Sequence, residues 1–575
     1  MTRPTRSLTI DVDVPMRARD GVVLRADVYR PAQGGKVPAI LLRTPYDKSS
    51  ARVAKAVLSS IRPVWAAMNG FAFVVQDVRG RYASEGTPEP PSTGTEGRDG
   101  YDAIEWVAAQ PWCTGRVGMI GGSFASITQW MAAMERPPSL RAIVPERTGG
   151  PSAGMFGAMQ LDSTVIGWLA GQALDTIQRR IATGDATPAD LALAQSAYRD
   201  PQSAARHLPL AELPFLERAG LPPYAQQVEQ FLHDTAGIDA TGIAVPAMLT
   251  SGWYDMLPGD TARVFAGLRS TAATAAARDG SRIVFGPWQH TGLDAHLGEW
   301  FFGNHASAAG LGLPERQLRF LSRWLRDDDG DIPVATYFVM GANEWREADE
   351  WPPPGTSPGS LYLSSGGAAN TAAGDGLLSW DAPAAERHDA YRYDPHDPVP
   401  AFGGRFFELG GSLPGPFDQS RVEQRADVLV YTTDPLAETV EIAGPVRLRL
   451  HASSSAVDTD FMAKLCDVDE HGRSYNIADG FVRCRWREGT DRLSWLTPGE
   501  VTELVVDLAD VAHAFRPGHR IRLQVTSSCF PAWDRNMNTG HALGADRVGV
   551  VADQHIHHGG MSPSALELPL HPRPR

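Results

Sequence analysis

The chain has little of the material from which metal sites, disulfide scaffolds and membrane spans are built. Only four of its 575 residues are cysteine, and no two of them form a C-x-x-C pair: Cys113, Cys466, Cys484 and Cys529. This spacing argues against a zinc site or a disulfide framework and favours buried free thiols. No apolar run reaches the length of about 18 residues that a membrane-spanning helix needs. We therefore expect a protein without bound metal and without a membrane anchor.

The N-terminus lacks the pattern of an export signal, and the chain as a whole lacks positive charge. Residues 7–14 alternate polar and apolar side chains, whereas a signal peptide has a continuous apolar segment. Basic residues number 53 against 67 acidic ones, which gives a formal net charge of −14. Such a chain repels phosphate and is a poor candidate for binding nucleic acid or anionic membranes. These features predict a cytoplasmic protein and leave a neutral or cationic small substrate open.

The composition is typical of a folded protein with several domains. Hydrophobic residues make up 43% of the chain, charged residues 21%, and there are 15 Trp, whereas disordered chains have few aromatic residues. The length is enough for three or four domains at roughly 100–200 residues each. The sequence leaves the oligomeric state, including a homo-oligomer, open.

Three patterns follow one another along the chain and predict three structural units. Residues 1–146 and 241–350 alternate short apolar runs with amphipathic stretches, which predicts a parallel sheet with crossover helices. Residues 147–240 are rich in Ala, Gln and Leu and contain helix starts such as Thr187-Pro188, so we expect a helical insertion. Residues 351–575 begin with a Pro-rich linker and continue as short alternating runs between turns. That pattern predicts an antiparallel β-sandwich of jelly-roll type.

One serine lies where a buried strand is predicted to turn sharply into a helix. The segment Gly121-Gly122-Ser123-Phe124-Ala125-Ser126 follows the apolar run 117–120 and precedes a helical stretch. A nucleophilic serine on such an elbow needs small neighbours, because the turn brings the flanking backbone segments close together. Gly-x-Ser occurs elsewhere in the chain, so the strand-to-helix context is what singles out Ser123. The alternative interpretation is an ordinary serine at a helix N-cap.

Candidates for the acid and the base of a catalytic triad follow Ser123 in the chain. In α/β-hydrolases the acid and then the base come after the serine, each just beyond the end of a strand. The predicted strand 245–250 leads to Asp255, and the predicted strand 283–285 leads to His290. The helical insertion explains the long interval between serine and acid. His296 and His305 are rivals for the base, but both are further from the strand end.

Acyl transfer also requires hydrogen-bond donors for the developing oxyanion. The backbone N–H of Phe124, directly after the candidate nucleophile, is one donor by the geometry of the elbow. The strand 40–42 leads to Tyr46, at the position that usually supplies the second donor. The Tyr46 hydroxyl is suited to this role, and aromatic packing beneath the loop is an equally good interpretation.

Several motifs, spread over nearly the whole chain, occur together: Thr44-Pro45-Tyr46-Asp47-Lys48, Gln76-Asp77-Val78-Arg79-Gly80, Trp112-Cys113 with Val117-Gly118-Met119, Gly252-Trp253-Tyr254-Asp255, Gly286-Pro287-Trp288 with His290, and Ser453 to Phe461. This set resembles the cocaine esterase-like members of the X-Pro dipeptidyl-peptidase group of serine hydrolases. The resemblance implies an α/β-hydrolase domain with an inserted helical cap and a C-terminal antiparallel β-sandwich, the jelly roll. It also implies Ser123 as nucleophile, His290 as base and Asp255 as its orienting acid, with Tyr46 and Phe124 forming the oxyanion hole.

The resemblance extends more loosely to a substrate pocket. Trp168 in the helical insertion, Leu257 after the acid, and Phe406 and Phe407 in the β-sandwich align with aromatic or apolar pocket positions. Core packing is the alternative interpretation for each of them. Leu257 stands where the esterase has an aromatic residue, so a preference for aryl esters does not transfer directly.

The elbow departs from the family pattern at two positions. The family usually has Gly-x-Ser-Tyr-x-Gly, whereas this chain has Phe124 and Ser126 at the last two specified positions. Because Ser126 is still small, we expect tighter packing of the elbow without loss of the chemistry. Phe124 lacks the hydroxyl that Tyr would supply.

The predicted function is that of a cofactor-free serine hydrolase that cleaves small-molecule carboxylic esters through an acyl-enzyme. A second interpretation is amide chemistry by an X-prolyl aminopeptidase or an α-amino-acid ester hydrolase, whose substrate ammonium is bound by clustered carboxylates. The insertion contains acids but no compact cluster in sequence: Asp162, Asp175, Asp185 and Asp190. The third interpretation is a non-catalytic carbohydrate-binding protein, against which the complete set of Ser123, Asp255 and His290 argues.

Overall fold

Two large sheets organise the chain, one built before residue 349 and the other after residue 356. The computed structural model describes residues 7–50, 59–89, 93–149, 163–224, 226, 239–330, 332–406, 413–489 and 492–572. Buried apolar side chains from both sheets belong to one continuous core, from Met16 to Leu568. The two sheets are therefore packed against each other through apolar contacts.

The strands before residue 349 are β1 Leu8–Arg17, β2 Val23–Pro31, β3 Val37–Thr44, β4 Ala72–Asp77, β5 Cys113–Gly122, β6 Leu140–Glu146, β7 Met248–Tyr254, β8 Arg282–Gln289, β9 His296–Leu297, β10 Trp300–Phe301, β11 Ala335–Val339 and β12 Glu344–Ala348. Within the described residues, the large sheet has ten strands in the order β1-β2-β4-β3-β5-β6-β7-β8-β11-β12. Neighbours from β4 through β11 are parallel, and β1, β2 and β12 pair antiparallel at the edges. The short strands β9 and β10 form a separate hairpin.

The central strands are apolar because both faces of the sheet are covered. In β3, Ala39 and Leu41 face the core shared with the second sheet, whereas Ile40 and Leu42 face a second core beneath α11. The described helices are α1 Pro63–Met68, α2 Thr95–Ala108, α3 Phe124–Met134, α4 Ser163–Thr183, α5 Pro188–Arg199, α6 Pro201–Ala205, α7 Pro214–Ala219, α8 Pro258–Thr271, α9 Ala275–Gly280, α10 Ala308–Leu311 and α11 Leu313–Arg326. None of these described helices has the length and apolar character required to cross a membrane.

Helices α4 to α7 lie between β6 and β7 and form the predicted helical insertion. The predicted start of α5 is confirmed, because the Thr187 side chain accepts from the Asp190 N–H and Asp190 accepts from the Thr187 N–H, which is a capping box. The insertion has its own apolar core, to which Phe530, from the C-terminal part of the chain, contributes. The insertion therefore packs on the C-terminal part of the chain.

The strands after residue 356 are β13 Ser357–Ser364, β14 Leu377–Ser379, β15 Arg387–Tyr393, β16 Leu429–Thr432, β17 Val440–Ser454, β18 Asp460–Val468, β19 Ser474–Arg483, β20 Thr502–Phe515, β21 Arg520–Thr526, β22 Ala552–His558 and β23 Ala565–Leu570. Their pairing is antiparallel apart from β14 with β16. Alternating burial along β15 and β22 matches the predicted alternation of polar and apolar residues. The prediction of a C-terminal antiparallel β-sandwich is confirmed.

Candidate active site

The candidate site residues lie at one edge of the first sheet. Tyr46 follows β3, Ser123 follows β5, Asp255 follows β7 and His290 follows β8. These strands are parallel and lie in the order β3-β5-β6-β7-β8, so their carboxyl ends meet at the same edge. Ligand sites of open α/β sheets occupy this edge.

The elbow at Ser123 has the backbone geometry that its small neighbours predict. Ser123 has φ 58° and ψ −127°, a conformation that L-residues rarely adopt. A Cβ on Gly121 would lie 2.6 Å from the Ala125 Cβ, and a Cβ on Gly122 would lie 2.3 Å from the Arg147 guanidinium. A larger side chain at Gly121 would therefore force the elbow apart, whereas one at Gly122 would displace the Arg147 guanidinium.

Ser126, where the family usually has Gly, adds a contact to this elbow. Its hydroxyl donates to the Ser123 carbonyl oxygen at 2.6 Å, and the residue is 1% exposed. Behind the elbow, the Ser123 N–H donates to the Glu146 carbonyl oxygen at 3.1 Å. The buried Glu146 carboxylate in turn accepts from Gln317 and from Arg147. These bonds hold the strained turn in place.

Asp255 and His290 form a buried hydrogen-bonded pair. His290 Nδ1 lies 2.8 Å from Asp255 Oδ1, and the two residues are 6% and 0% exposed. Ser251, which the sequence reasoning did not single out, donates its hydroxyl to Asp255 Oδ2 at 3.1 Å. Its only signal in the sequence is its place four residues before the acid at a strand end. Two oxygens of one carboxylate are thus held by two side chains.

The rival histidines lie elsewhere. His296 is exposed on the β9–β10 hairpin, and His305 Nε2 bonds to the Asn343 carbonyl oxygen at 2.9 Å. Of these three histidines, His290 is the one with a bond to Asp255. The geometry therefore favours His290 as the partner of the acid.

The loop after β3 brings Tyr46 to a side chain of the helical insertion. The Trp168 indole N–H donates to the Tyr46 hydroxyl oxygen at 3.1 Å. The same indole ring stacks on the Phe124 ring, with 6.5 Å between centroids and 24° between planes. Trp168 therefore contacts both residues that were predicted to form an oxyanion hole.

The buried carboxyl of Asp77, at the end of β4, holds the Tyr46 loop. Asp77 accepts from the Lys48 N–H at 2.7 Å and from the Ala83 N–H at 3.2 Å. Burial raises the pKa of Asp77 to about 7, although these two backbone bonds favour its ionised form. Asp77 thus ties the loop after β3 to the loop after β4.

The β-sandwich supports the strand that ends at Asp255. The Tyr254 hydroxyl donates to the Asn476 carbonyl oxygen of β19 at 3.1 Å, and both groups are buried. Burial raises the pKa of Tyr254 well above its ordinary value, so it stays a neutral hydrogen-bond donor. At the start of α8, a Cβ on Gly259 would lie 3.0 Å from the Ala509 Cβ of β20. The acid therefore sits next to the interface between the two sheets.

Of the four predicted pocket residues, the three that the structure describes lie in different surroundings. Trp168 is half-buried beside Tyr46 and Phe124, and Leu257 is 3% exposed directly before α8. Phe406 is 3% exposed and packs in the sandwich with a cluster of four residues: Met462, Cys529, Ala532 and Trp533. Phe407 lies outside the described residues. The pocket assignment stays a prediction, and the packing of Phe406 agrees with the core alternative.

The fold and the geometry at the sheet edge define a class of protein. A mostly parallel sheet carries a serine on a strained strand-to-helix elbow after β5. An Asp–His pair lies beyond β7 and β8, in the chain order serine, acid, histidine. This arrangement is that of the α/β-hydrolases.

Comparison with known proteins gives the family. Residues 20–292 match the X-Pro dipeptidyl-peptidase (S15 family) model, and residues 330–567 match the X-Pro dipeptidyl-peptidase C-terminal non-catalytic domain. The chain is 38% identical to the cocaine esterase of Rhodococcus sp. (strain MB1 Bresler), over 98% of each chain. It belongs to the X-Pro dipeptidyl-peptidase (S15) family and is a serine hydrolase. The predicted fold class and enzyme class are confirmed.

Two solved structures are similar over nearly the whole chain. An aminopeptidase from the marine sediment archaeon Thaumarchaeota archaeon has a TM-score of 0.75 and 26% identity, covering 100% of this chain and 98% of that one. An α-amino acid ester hydrolase has a TM-score of 0.77 and 24% identity, covering 99% and 98%. At this level of identity, the similarity to the α-amino acid ester hydrolase is a similarity of fold alone.

Proposed function

We propose that this chain cleaves carboxylic esters of small molecules through an acyl-enzyme formed on Ser123. The observation that carries the proposal is the buried 2.8 Å bond between His290 Nδ1 and Asp255 Oδ1. That bond lies at the same sheet edge as Ser123 on its strained elbow. The relative named cocaine esterase supports an ester as the scissile bond.

His290 acts as the general base in this mechanism. Asp255 accepts from the Nδ1–H, which leaves the lone pair of the neutral imidazole on Nε2. Nε2 takes the hydroxyl proton of Ser123 as Oγ attacks the ester carbonyl. His290 then returns the proton to the leaving alcohol, and the acyl group stays on Ser123. In the second half-reaction His290 activates water, which attacks the acyl carbonyl and releases the acid. The Ser251 hydroxyl, bonded to the other oxygen of Asp255, keeps the carboxylate oriented.

Charge on the tetrahedral intermediate is stabilised by the Phe124 N–H and the Tyr46 hydroxyl. The loop geometry supports this role, because Tyr46 follows β3, the parallel neighbour of β5 that leads to Ser123. Preorganised donors of this kind stabilise the transition state more than the substrate. Trp168, Leu257, Phe406 and Phe407 are proposed to line the space for the substrate.

Hydrolysis of amides is the alternative function, and the structural similarity to an aminopeptidase supports it. Recognition of a substrate ammonium would need unengaged carboxylates near the site. The Asp175 carboxylate binds the Tyr82 N–H and Arg179, Asp185 accepts from Thr183, and Asp190 caps α5. Asp162 lies outside the described residues. These local bonds favour the ester, and comparing acyl p-nitrophenyl esters with an Ala-Pro anilide separates the two activities.

The division into units follows from the same proposal. Residues 1–146 and 241–350 form the catalytic domain, residues 147–240 form the cap, and residues 351–575 form the jelly-roll domain that supports one side of the site. The four cysteines, all among the described residues, are buried and are not joined to one another by disulfides, which is compatible with the reducing interior of a cell. We propose a cytoplasmic location on this ground, and sedimentation of the purified chain would determine whether it is a monomer or a homo-oligomer.

Substitution of the nucleophile tests the proposal. Ser123→Ala should lower kcat on p-nitrophenyl esters by on the order of 10⁶-fold, because the acyl-enzyme can no longer form. The variant should also lose labelling by a fluorophosphonate probe while its thermal unfolding stays that of a folded protein. Ser270→Ala, at an exposed serine of α8, is the matched control and should keep both activities. Turnover by Ser123→Ala at the wild-type rate would overturn the assignment.

A further inference from the structure

One side chain of the insertion, Trp168, touches both groups proposed to bind the oxyanion. Its indole N–H donates to the Tyr46 hydroxyl oxygen at 3.1 Å across 122 residues of sequence. Its ring stacks on Phe124, whose backbone N–H is the other proposed donor. A residue that only lined a substrate pocket would not need either contact.

The direction of the Trp168–Tyr46 bond is set by chemistry. An indole nitrogen carries one hydrogen and can only donate, so the Tyr46 oxygen is the acceptor. The phenolic proton therefore points to an acceptor other than the indole. Hydrogen bonds in a chain also polarise one another, so a hydroxyl that accepts a bond becomes a stronger donor. The bond thus both orients the Tyr46 hydroxyl and strengthens its donation.

The position of Trp168 is held by contacts between α4 and the loop after β4. The Arg81 guanidinium donates to the Gln172 carbonyl oxygen at 2.9 Å and to the Thr176 hydroxyl at 3.1 Å. The Tyr82 N–H donates to Asp175 at 3.3 Å. Arg81 and Asp175 are 8% and 6% exposed, so these bonds are shielded from water. Trp168 lies about two helical turns before Asp175 on the same helix.

The loop after β4 is in turn tied to the Tyr46 loop. Asp77 accepts from the Lys48 N–H and the Ala83 N–H, one on each loop. The two loops and α4 therefore form a closed set of contacts around Tyr46.

We infer that Trp168 is a positioning residue of the oxyanion hole: its indole N–H sets the Tyr46 hydroxyl so that the hydroxyl donates to the tetrahedral intermediate. This inference rests on the proposed function of Ser123 and Tyr46. It assigns the insertion a part in the chemical step in addition to any part in choosing the substrate.

A double-mutant cycle tests the inference on the purified full chain with a p-nitrophenyl ester. Trp168→Phe removes the N–H and keeps an aromatic ring, and we expect kcat to fall about tenfold with KM within about twofold. Tyr46→Phe should lower kcat by about 10²–10³-fold. The double variant should match Tyr46→Phe, because Trp168 has no hydroxyl left through which to act.

Two controls separate the hydrogen bond from packing. Replacing Trp168 by 3-benzothienylalanine keeps the two-ring shape without the N–H, and it should reproduce the kinetics of Trp168→Phe. Trp380→Phe, at a 45% exposed tryptophan of the β-sandwich, should leave kcat unchanged. Thermal unfolding of each variant shows whether it is folded.

The outcomes distinguish this inference from the proposed function. The same tenfold loss in both the wild-type and Tyr46→Phe backgrounds would overturn the positioning role and leave the function intact. A change in KM alone in Trp168→Phe would also overturn the positioning role. Wild-type kinetics for the benzothienyl variant would overturn it as well, and both results would leave the proposed function intact. A silent Tyr46→Phe would overturn the oxyanion role of Tyr46 and the inference with it, while the Ser123→Ala result would still stand.

Discussion

In the described part of the chain, a buried Asp–His pair accompanies a serine at the edge of the first sheet and again in the β-sandwich, and the two groups differ in their hydrogen bonds. At the edge of the first sheet are Asp255 and His290, with Ser123 on the elbow. In the β-sandwich, Asp389 accepts from the Ser365 hydroxyl at 2.7 Å and lies 3.1 Å from His558 Nε2. Both Asp–His pairs are almost fully buried. A buried Asp–His pair with a serine nearby therefore does not by itself define a catalytic site.

The order of the hydrogen bonds is the first difference. A triad needs one imidazole nitrogen for the acid and the other for the serine. In the sandwich, the same nitrogen, His558 Nε2, lies 3.1 Å from Asp389 and 3.2 Å from Ser365. The Ser365 hydroxyl also donates to the carboxylate directly. No proton can be relayed from serine through histidine in that arrangement, whereas His290 uses Nδ1 for Asp255 and has Nε2 on its opposite side.

The backbone is the second difference. Ser123 has a positive φ on a sharp elbow at the carboxyl edge of parallel strands, and Ser365 has no positive φ. Asp389 also accepts from the Ala369 N–H and the Tyr431 hydroxyl, so it gathers donors from several strands. The sandwich group joins neighbouring segments of its domain, whereas the elbow group carries the proposed nucleophile.

The largest expected contrast is in catalysis. Asp255→Asn should lower kcat on p-nitrophenyl esters by about 10⁴-fold, because an amide in place of the carboxylate favours the wrong imidazole tautomer. The matched change Asp389→Asn should leave kcat and KM within about twofold of wild type. Steady-state kinetics on the folded variants measures both. A comparable loss of kcat in the two variants would erase the functional distinction between the groups.

The second expected contrast is in stability, where the larger effect comes from the sandwich group. Asp389→Ala should lower the free energy of unfolding by about 3 kcal/mol, because it leaves several buried donors without their ionised acceptor. Denaturant unfolding of the full chain measures this loss. The exposed Asp381→Ala is the control and should stay within about 0.5 kcal/mol of wild type.

The pH dependence of this stability has a defined sign. Burial opposes ionisation of Asp389, but bonds from His558, the Ala369 N–H, Ser365 and Tyr431 hold its pKa below the usual value of 3.8. A depressed pKa means that the carboxylate's contribution is present above the unfolded-state pKa and is lost as pH falls through the folded-state pKa. The stability difference between wild type and Asp389→Ala should therefore shrink below about pH 4. A difference that grew on acidification would contradict the assigned cause.

The smallest expected effect concerns the two serines. Ser365→Ala removes one hydrogen bond to Asp389 and should lower the free energy of unfolding by about 1 kcal/mol without changing kcat. Its fluorophosphonate labelling should equal that of wild type, in contrast to Ser123→Ala. Labelling that decreased in Ser365→Ala would show that the sandwich serine is itself reactive.

Much of the first sheet and its site could be predicted from local sequence. The apolar run 117–120 followed by small residues indicated the elbow, and the residues just beyond the next strand ends indicated Asp255 and His290. These signals are local because burial of a strand and the shape of a sharp turn depend on neighbouring residues. The support from Ser251 was not evident, since a serine near a strand end has many ordinary roles.

The contacts between distant segments could not be predicted in the same way. The Trp168–Tyr46 bond joins residues 122 positions apart, and the Tyr254–Asn476 bond joins residues 222 apart. Neither residue pair has a local pattern, because their meeting depends on how the insertion and the sandwich pack on the first sheet. The packing of Phe406 among sandwich residues is of the same kind.

By itself, the sequence determined which segments form strands and helices, which serine sits on an elbow and in what order the acid and base follow. Turn-forming residues and the alternation of apolar residues act over a few positions, so both can be recognised in short stretches of sequence. Only the tertiary structure decided that Asp255 bonds His290, that Trp168 touches both candidate oxyanion donors, and that a second Ser–His–Asp group has the wrong order of bonds. Those distinctions depend on which polar atoms of segments far apart in the chain come within hydrogen-bond distance of one another, and packing sets those distances.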